Sequence, residues 1–417
     1  MLYALHEAAY YAARPLSLAA DAAREFWGSP LNPAAHTEAG RTLFAAADLL
    51  SNMTRRYGKP DWRIDEVEIG DSVVPVEMDT VWSSAWVKLH RFRRVEAGLR
   101  PGSEPKVLIV APLSGHYATL LRGTVRGFLQ NHEVYVTDWA NARDVPIYEG
   151  RFDFHDYVDH VRAILAEIGP NTHVVAVCQP GPPVLAAAAL MAADKDPNRP
   201  ASMIFMGSPI DARLSPTVTN KMAETRPFTW FQSYMIHTVP TPYLGAARRV
   251  YPGFVQLYSF ISMNEKMHMD AHWRYFEDLV KDDGDGAAKH REFYDEYLSV
   301  LDMTEEFYLQ TIDIVFQKYL LPKGELIHRG RRVDTAAISD IALMTVEGAH
   351  DDISGVGQTQ AAHALCPNIP DDMKALYIHP DVGHYGVFNG SKFRRDIYPR
   401  IREFIRLSDR ASARVAA

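Results

Sequence analysis

Cys178, Asp351 and His384 carry side chains that could perform acyl-transfer chemistry together. Cys178 ends the run His173-Val174-Val175-Ala176-Val177-Cys178-Gln179-Pro180-Gly181, which is followed by the helix-like stretch Val184 to Ala193. A β-branched apolar strand thus meets a single nucleophile-type residue, then small residues, then an Ala-rich helix. In that strand–elbow–helix order the nucleophile stands off the strand end and faces the start of the next helix, where the dipole and free backbone N–H groups favour negative charge. A thiol gains from such a placement because the thiolate is its reactive form. The G-x-S-x-G positions read Ala176-Val177-Cys178-Gln179-Pro180, with Gly181 one place late. The local pattern therefore also fits a cysteine buried in a core strand.

A nucleophile of this kind needs a base, and the base needs an orienting acid. In α/β-hydrolases the chain order is nucleophile, acid, histidine. Asp340 to Val346 reads as a buried strand and leads to Glu347-Gly348-Ala349-His350-Asp351-Asp352. A G-x-x-D turn at that point makes Asp351 the expected acid, with Asp352 as its competitor. The strand Ala375 to Ile378 leads to His379-Pro380-Asp381-Val382-Gly383-His384. A Gly-His pair after the last strand makes His384 the expected base, against His379 and His350. Gln179 would supply one oxyanion N–H, and the loop Pro112 to Tyr117 a second, at Leu113 or Ser114. His116 in that loop is placed either to hydrogen-bond substrate or to support the loop.

The elements that must position these residues follow from periodicity. Strands are expected at Ile64–Ile69, near Val81–Leu89, at Val107–Pro112, at Glu133–Trp139 and at Met203–Pro209, with a helix over Phe154–Ile168. Strands alternating with helices imply the α/β-hydrolase fold: a doubly wound, mostly parallel sheet. The regularity breaks after Ile210, in a stretch rich in Trp, Tyr, Phe and Met that closes with a long helical pattern from Glu305 to Leu320. The expected organisation is an N-terminal helical segment over 1–60, a core over 61–209 and 340–417, and a helical cap insertion over 210–339. The cap aromatics are read first as cap core and second as substrate contacts. His268 and His272 have i,i+4 spacing, but no Glu stands between them in the register of a helical zinc site, so no metal is expected. No cofactor loop is recognised, and Asp282 to Gly286 reads as a solvated turn. The amphipathic N-terminal helix is expected to pack on the enzyme's own core rather than to serve as a surface anchor.

Composition fits an enzyme. The hydrophobic share of 47% against 23% charged residues is ordinary globular usage, and 417 residues suffice for one hydrolase core plus an insertion. A net charge of −8 gives no electrostatic footprint for nucleic acid. Two cysteines, Cys178 and Cys366, make no disulfide framework, and Cys366 is read as a packed small hydrophobe. A reduced compartment suits a thiol nucleophile. No apolar run reaches the roughly 18 residues of a transmembrane helix.

The chain resembles the intracellular poly(3-hydroxybutyrate) depolymerases of bacteria, which use a cysteine in place of the lipase serine. The resemblance runs along nearly the whole length. It is carried by Met1-Leu2-Tyr3, by Ala111-Pro112-Leu113-Ser114-Gly115-His116 and by Val177-Cys178-Gln179-Pro180. Glu306 to Thr311, Leu321-Pro322-Lys323-Gly324, Thr345 to Gly348, Asp351 to Gly355 and Gly383 to Phe388 carry the rest. It implies a Cys178–His384–Asp351 triad, an acyl-thioester, and hydrolysis of the amorphous polymer of cytoplasmic storage granules to 3-hydroxybutyrate or its oligomers. Water and coenzyme A stay open as acyl acceptors, and so does the oligomeric state.

Other readings stay open beside it. A polyhydroxyalkanoate synthase would use the same three residues, although Ala176 and Pro180 stand where synthases keep glycines, and Asp352 follows Asp351 where they have a histidine. A cysteine-dependent esterase or thioesterase on small soluble substrates is a further reading. A non-catalytic granule-binding protein of the same fold is the last.

Overall fold

The computed structural model describes every residue except 1, 97, 99–101, 264, 416 and 417. Met1 of the expected N-terminal segment and the last two residues of the 340–417 segment therefore lie outside the described residues. The sheet begins with β1 (Glu66–Ile69), β2 (Ser72–Ser83) and β3 (Val87–Arg94). It continues with β4 (Lys106–Val110), β5 (Glu133–Trp139), β6 (Thr172–Val177) and β7 (Ser202–Met206). Two small sheets follow: β8 (His237–Thr238), β9 (Arg249–Tyr251) and β10 (Met303–Thr304) form a three-stranded one, and β11 (Ile327–His328) with β12 (Arg331–Arg332) a two-stranded one. The last strands are β13 (Ala342–Gly348) and β14 (Lys374–His379).

Nine strands form the main sheet in the order β1-β2-β3-β5-β4-β6-β7-β13-β14. From β5 to β14 every pairing is parallel, whereas β1, β2 and β3 join antiparallel at one edge. Without β1, this is the strand arrangement of the α/β-hydrolase fold. β5, β6, β7 and β13 are buried at every position, as strands covered on both faces must be.

The helices are α1 (Leu2–Gly28), α2 (Glu38–Thr54), α3 (Arg122–Phe128), α4 (Phe154–Ile168) and α5 (Gly181–Ala193). α4 packs on α5, while α3 packs on the C-terminal helix Tyr398–Val415. Right-handed crossovers set these two pairs on opposite faces of the sheet. α4 is fixed at its start by a capping box: Asp153 accepts the N–H groups of His155 and Asp156, and Asp156 accepts that of Asp153. Between β7 and β13 lie α6 (Val218–Thr225), the single turn α7 (Phe228–Trp230), α8 (Gly253–Met263), α9 (Glu265–Lys281), α10 (Gly284–Tyr297) and α11 (Glu305–Thr311).

The structure corrects three expectations. Val81–Leu89 is not one strand, because the chain reverses inside it. Ser84 Oγ accepts the N–H groups of Trp86 and Val87, a serine-driven turn that separates β2 from β3. The long helix Glu305–Leu320 changes register after Thr311 into a π-helix, Ile312–Gln317. There Lys318 N–H donates to the Asp313 carbonyl and Lys318 Nζ to Asp313 Oδ2 at 2.8 Å, both at the i,i+5 spacing a π turn favours. Asp282 to Gly286 is not merely a solvated turn, since Asp283 Oδ1 caps α10 by accepting the Gly286 N–H at 3.1 Å. The N-terminal helix packs on α2 and on the β7–β13 insertion, with Tyr3 in the buried core. Tyr3 Oη, on a residue 1% exposed, donates to Asp302 Oδ2 at 2.7 Å, and the His6 ring stacks on Phe254 at 4.0 Å.

Candidate active site

Every candidate residue lies at the carboxyl ends of the parallel strands, the edge where α/β sheets place their sites. Cys178 follows β6 with φ 67°, the left-handed region that β-carbon-bearing residues seldom enter. Its N–H donates to the Met206 carbonyl at 2.8 Å, and its carbonyl accepts the Gly181 N–H at 3.2 Å. These bonds lock the sharp turn between β6 and α5 in the geometry of a nucleophile elbow. The late glycine has a packing reason. A Cβ on Gly181 would stand 2.5 Å from Ser208 Cβ, so only glycine lets α5 approach the chain leaving β7.

Asp351 follows β13 with its side chain fully buried. Its Oδ1 accepts the N–H groups of Ile353 and Ser354 at 2.9 and 2.8 Å. Its Oδ2 accepts from His384 Nδ1 at 2.8 Å. His384, 5% exposed, begins the turn after β14, and its ring interacts electrostatically with the Cys178 sulfur. Burial opposes charge on this imidazole, but the Cys178 sulfur and the Asp351 carboxylate outweigh it and hold its pKa well above the ordinary histidine value. Gly207, at φ 55°, makes room for the pair: a Cβ there would lie 3.2 Å from both Asp351 Oδ2 and His384 Cε1. The structure thus brings Cys178, His384 and Asp351 together.

The competitors lie elsewhere. Asp352 and His350 sit beside Asp351, but it is Asp351 that accepts from His384. His379 points its Nε2 at Asp396 Oδ2, 3.2 Å away.

Donors for an oxyanion are few. Among residues 179–183, Pro180, Pro182 and Pro183 have no N–H, and the Gly181 N–H is used by Cys178. The Gln179 N–H is the one left, so the helix start offers a single free donor rather than the cluster that position usually supplies. In the loop after β4, Leu113 N–H points at the elbow and donates to Gln179 Oε1 at 3.1 Å. Its aim is fixed from behind. The Ala111 carbonyl accepts from Trp139 Nε1 and Tyr157 Oη, and the Ala111 N–H donates to Thr137 Oγ1. Ser114 is half-buried one residue further on.

His116 does not face the elbow. It is 4% exposed, forms a β-bridge with Val300, and its Nε2 lies 3.0 Å from the Tyr297 carbonyl at the end of α10. Burial pushes its pKa down to about 4, so it is neutral at pH 7. This placement ties the loop after β4 to the end of α10. The same seam is tied by the Leu301 N–H donating to the Gly115 carbonyl and by the Arg122–Glu296 ion pair at 2.5 Å.

Sequence reasoning missed Glu347, Gly207, Tyr157 and Tyr385. Glu347 ends β13, 2% exposed, and accepts the N–H groups of Gly357, Thr359 and Gln360 at 2.8 to 3.0 Å, which shapes the loop behind Asp351. A lone carboxylate in an apolar strand was its signal. Tyr385 stands between His384 and Tyr297, with ring centroids 5.8 and 6.2 Å away. Cys366 is fully buried, which raises its thiol pKa to about 12. His268 Nδ1 pairs with Tyr294 Oη at 2.9 Å, and the His272 ring lies tilted against the same tyrosine ring at 4.4 Å. Among the described residues no three metal-ligating side chains come together.

Strand order and elbow define an α/β-hydrolase. Within that class, residues 207–409 match the family described as PHB de-polymerase C-terminus. The matched stretch contains Asp351 and His384 and begins after Cys178. The match supports a PHB depolymerase-like hydrolase of carboxylic esters. Similar solved structures include a soluble variant of monoglyceride lipase from Saccharomyces cerevisiae (11% identity, covering 82% of this chain and 98% of that one, TM-score 0.45). A thermophilic esterase from Thermogutta terrifontis is another (13%, 82% and 99%, TM-score 0.43), as is a carboxylesterase from Bacillus subtilis (12%, 88% and 98%, TM-score 0.41). No match is found among curated proteins. No helix is long and apolar enough to cross a membrane, among the described residues.

Proposed function

We propose that this protein is an intracellular depolymerase that hydrolyses amorphous poly(3-hydroxybutyrate) at storage granules, with Cys178 as nucleophile, His384 as base and acid, and Asp351 as its orienting partner. The observation that carries this reading is the Cys178 thiol, held in a left-handed elbow against an imidazole whose other nitrogen is bonded to a buried carboxylate. Cys178 Sγ attacks an ester carbonyl carbon and an S–C bond forms. The thiol proton, held on His384 Nε2, passes to the leaving alkoxide oxygen as the C–O bond breaks. A water then loses a proton to His384 and attacks the acyl-thioester. The carboxylic acid leaves, and the proton returns to the thiolate. Asp351 stabilises the imidazolium formed in each half.

The Gln179 and Leu113 N–H groups receive the oxyanion, a contribution typically worth about 3 kcal/mol per donor. Residues 210–339 act as a cap whose aromatic lining accepts the apolar polymer, with residues 1–60 as a helical support for that cap. Release of 3-hydroxybutyrate from amorphous native granules tests the reading. Wild type releases it and Cys178→Ala does not. Release that persists in Cys178→Ala contradicts the nucleophile. No release by either, together with polymer formation from 3-hydroxybutyryl-coenzyme A, replaces the reading with a synthase.

A further inference from the structure

The Gln179 side chain does something its backbone role does not require. Its Oε1 accepts the Leu113 N–H at 3.1 Å, while its Nε2 is buried without a hydrogen-bond partner. A carboxamide satisfied at oxygen and orphaned at nitrogen is held in place by Leu113 while leaving a buried donor unpaired, which makes the arrangement cheap to displace. Leu113 is the fixed member of the contact, because the Ala111 peptide behind it is tied on both sides to β5 and α4. Gln179 also owns the one free N–H of the elbow, so the same residue offers one oxyanion donor and occupies the other.

We propose that the Gln179 carboxamide is a built-in plug of the oxyanion site, filled in the resting enzyme and displaced by the acyl oxygen of the substrate. This deepens the acyl-transfer reading above and rests on it. An amide oxygen is a stronger acceptor than an ester oxygen, so a ground-state ester gains little by the exchange. A developing oxyanion makes a charge-assisted bond and gains much more. Gln179 is thus a positioning residue that biases the site against the ester ground state and toward the tetrahedral species.

The test is inhibition of short-chain ester hydrolysis by butyraldehyde. The aldehyde carbon bonds to Cys178 Sγ, the C=O π pair moves onto oxygen, the thiol proton stays on His384, and the resulting hemithioacetal oxyanion takes the plugged position. Gln179→Met keeps the length of the side chain without its acceptor, and the inhibition constant is expected to fall roughly 3- to 10-fold, the worth of one net hydrogen bond. Gln179→Ala shifts in the same direction and guards against a packing artefact in the first variant. Gln179→Glu holds Leu113 N–H more tightly and repels the oxyanion, and its constant rises about 10-fold or more. Met and Ala variants that bind the aldehyde no better than wild type overturn the plug. Wild-type inhibition that is unaffected by Cys178→Ala overturns the acyl-thioester reading itself, and the plug with it.

Discussion

The carboxyl edge of the sheet and the insertion beside it are held by different kinds of bond. At the sheet edge the polar groups are pinned by backbone. Asp351 and Glu347 take five main-chain N–H groups between them, two on Asp351 and three on Glu347. The insertion and the N-terminal helices are joined by side chains. Arg55 pairs with Asp295, Arg56 Nη1 donates to Tyr243 Oη at 2.7 Å, Arg291 pairs with Asp48 at 3.0 Å, and His6 stacks on Phe254. Backbone donors cannot rotate away, so they preorganise charge for chemistry. Pairs with at least one partly exposed member contribute little each and exchange readily with water. Carboxylates bonded to main chain are thus concentrated at the carboxyl edge of the sheet, whereas the insertion meets the N-terminal helices through side chains.

The largest effect that sharpens this contrast is on rate. Asp351→Asn leaves the loop acceptor at Oδ1 but presents the wrong partner to His384. Turnover of a short ester is expected to fall about 10⁴-fold, whereas Asp352→Asn changes it far less. Equal losses from both would break the assignment of the acid. Next in size is Glu347→Ala, which strips the acceptor from three backbone N–H groups. Chemical denaturation is expected to read a loss of about 3 kcal/mol or more, and a stability close to wild type would show that the loop holds without its carboxylate.

The seam between the two regions responds to acid. In the unfolded chain His116 takes up a proton near 6.5, but in the fold burial delays this to about 4. Between those values the unfolded state binds more protons, so stability is full above the window and declines as the pH drops through it. His116→Asn should flatten that decline by on the order of 2 kcal/mol, measured by thermal melts across the window. A slope identical in both proteins would remove His116 from the seam's acid response. Smallest is Tyr3→Phe, which deletes the hydroxyl donated to Asp302. About 1 kcal/mol of local protection is expected to vanish from α1 by hydrogen exchange, with ester turnover unchanged. A fall in turnover would mean that the N-terminal helix reaches the chemistry after all.

Most of the sheet edge was legible in the sequence, and most of the insertion was not, for one physical reason. Buried parallel strands are mostly apolar, so β6 and β13 announced themselves with Cys178 and Asp351 just past them, and His384 followed the less buried β14. The Phe154–Ile168 helix was read from its period, and its bounds are as expected. The insertion lacks such a constraint. Its register change after Thr311 depends on a Lys318–Asp313 pair, and its attachment to α1 depends on Tyr3 meeting a residue 299 positions away. The β2–β3 turn was hidden because Ser84 lies in a stretch whose alternation reads as a single strand. His116 was ambiguous because a histidine's neighbours, not its own position in the sequence, decide whether it faces solvent, substrate or a backbone carbonyl.

The central claim is that Cys178 carries the acyl group, and the most direct measurement is peptide mass mapping after acid quench of the enzyme turning over a 3-hydroxybutyrate ester. The account predicts a hydroxylamine-labile 3-hydroxybutyryl adduct on the peptide containing Cys178 and on no other, lost in Cys178→Ala and accumulated in Asp351→Asn if deacylation slows more than acylation. An adduct on another residue, or full turnover by Cys178→Ala with no adduct at all, would contradict it.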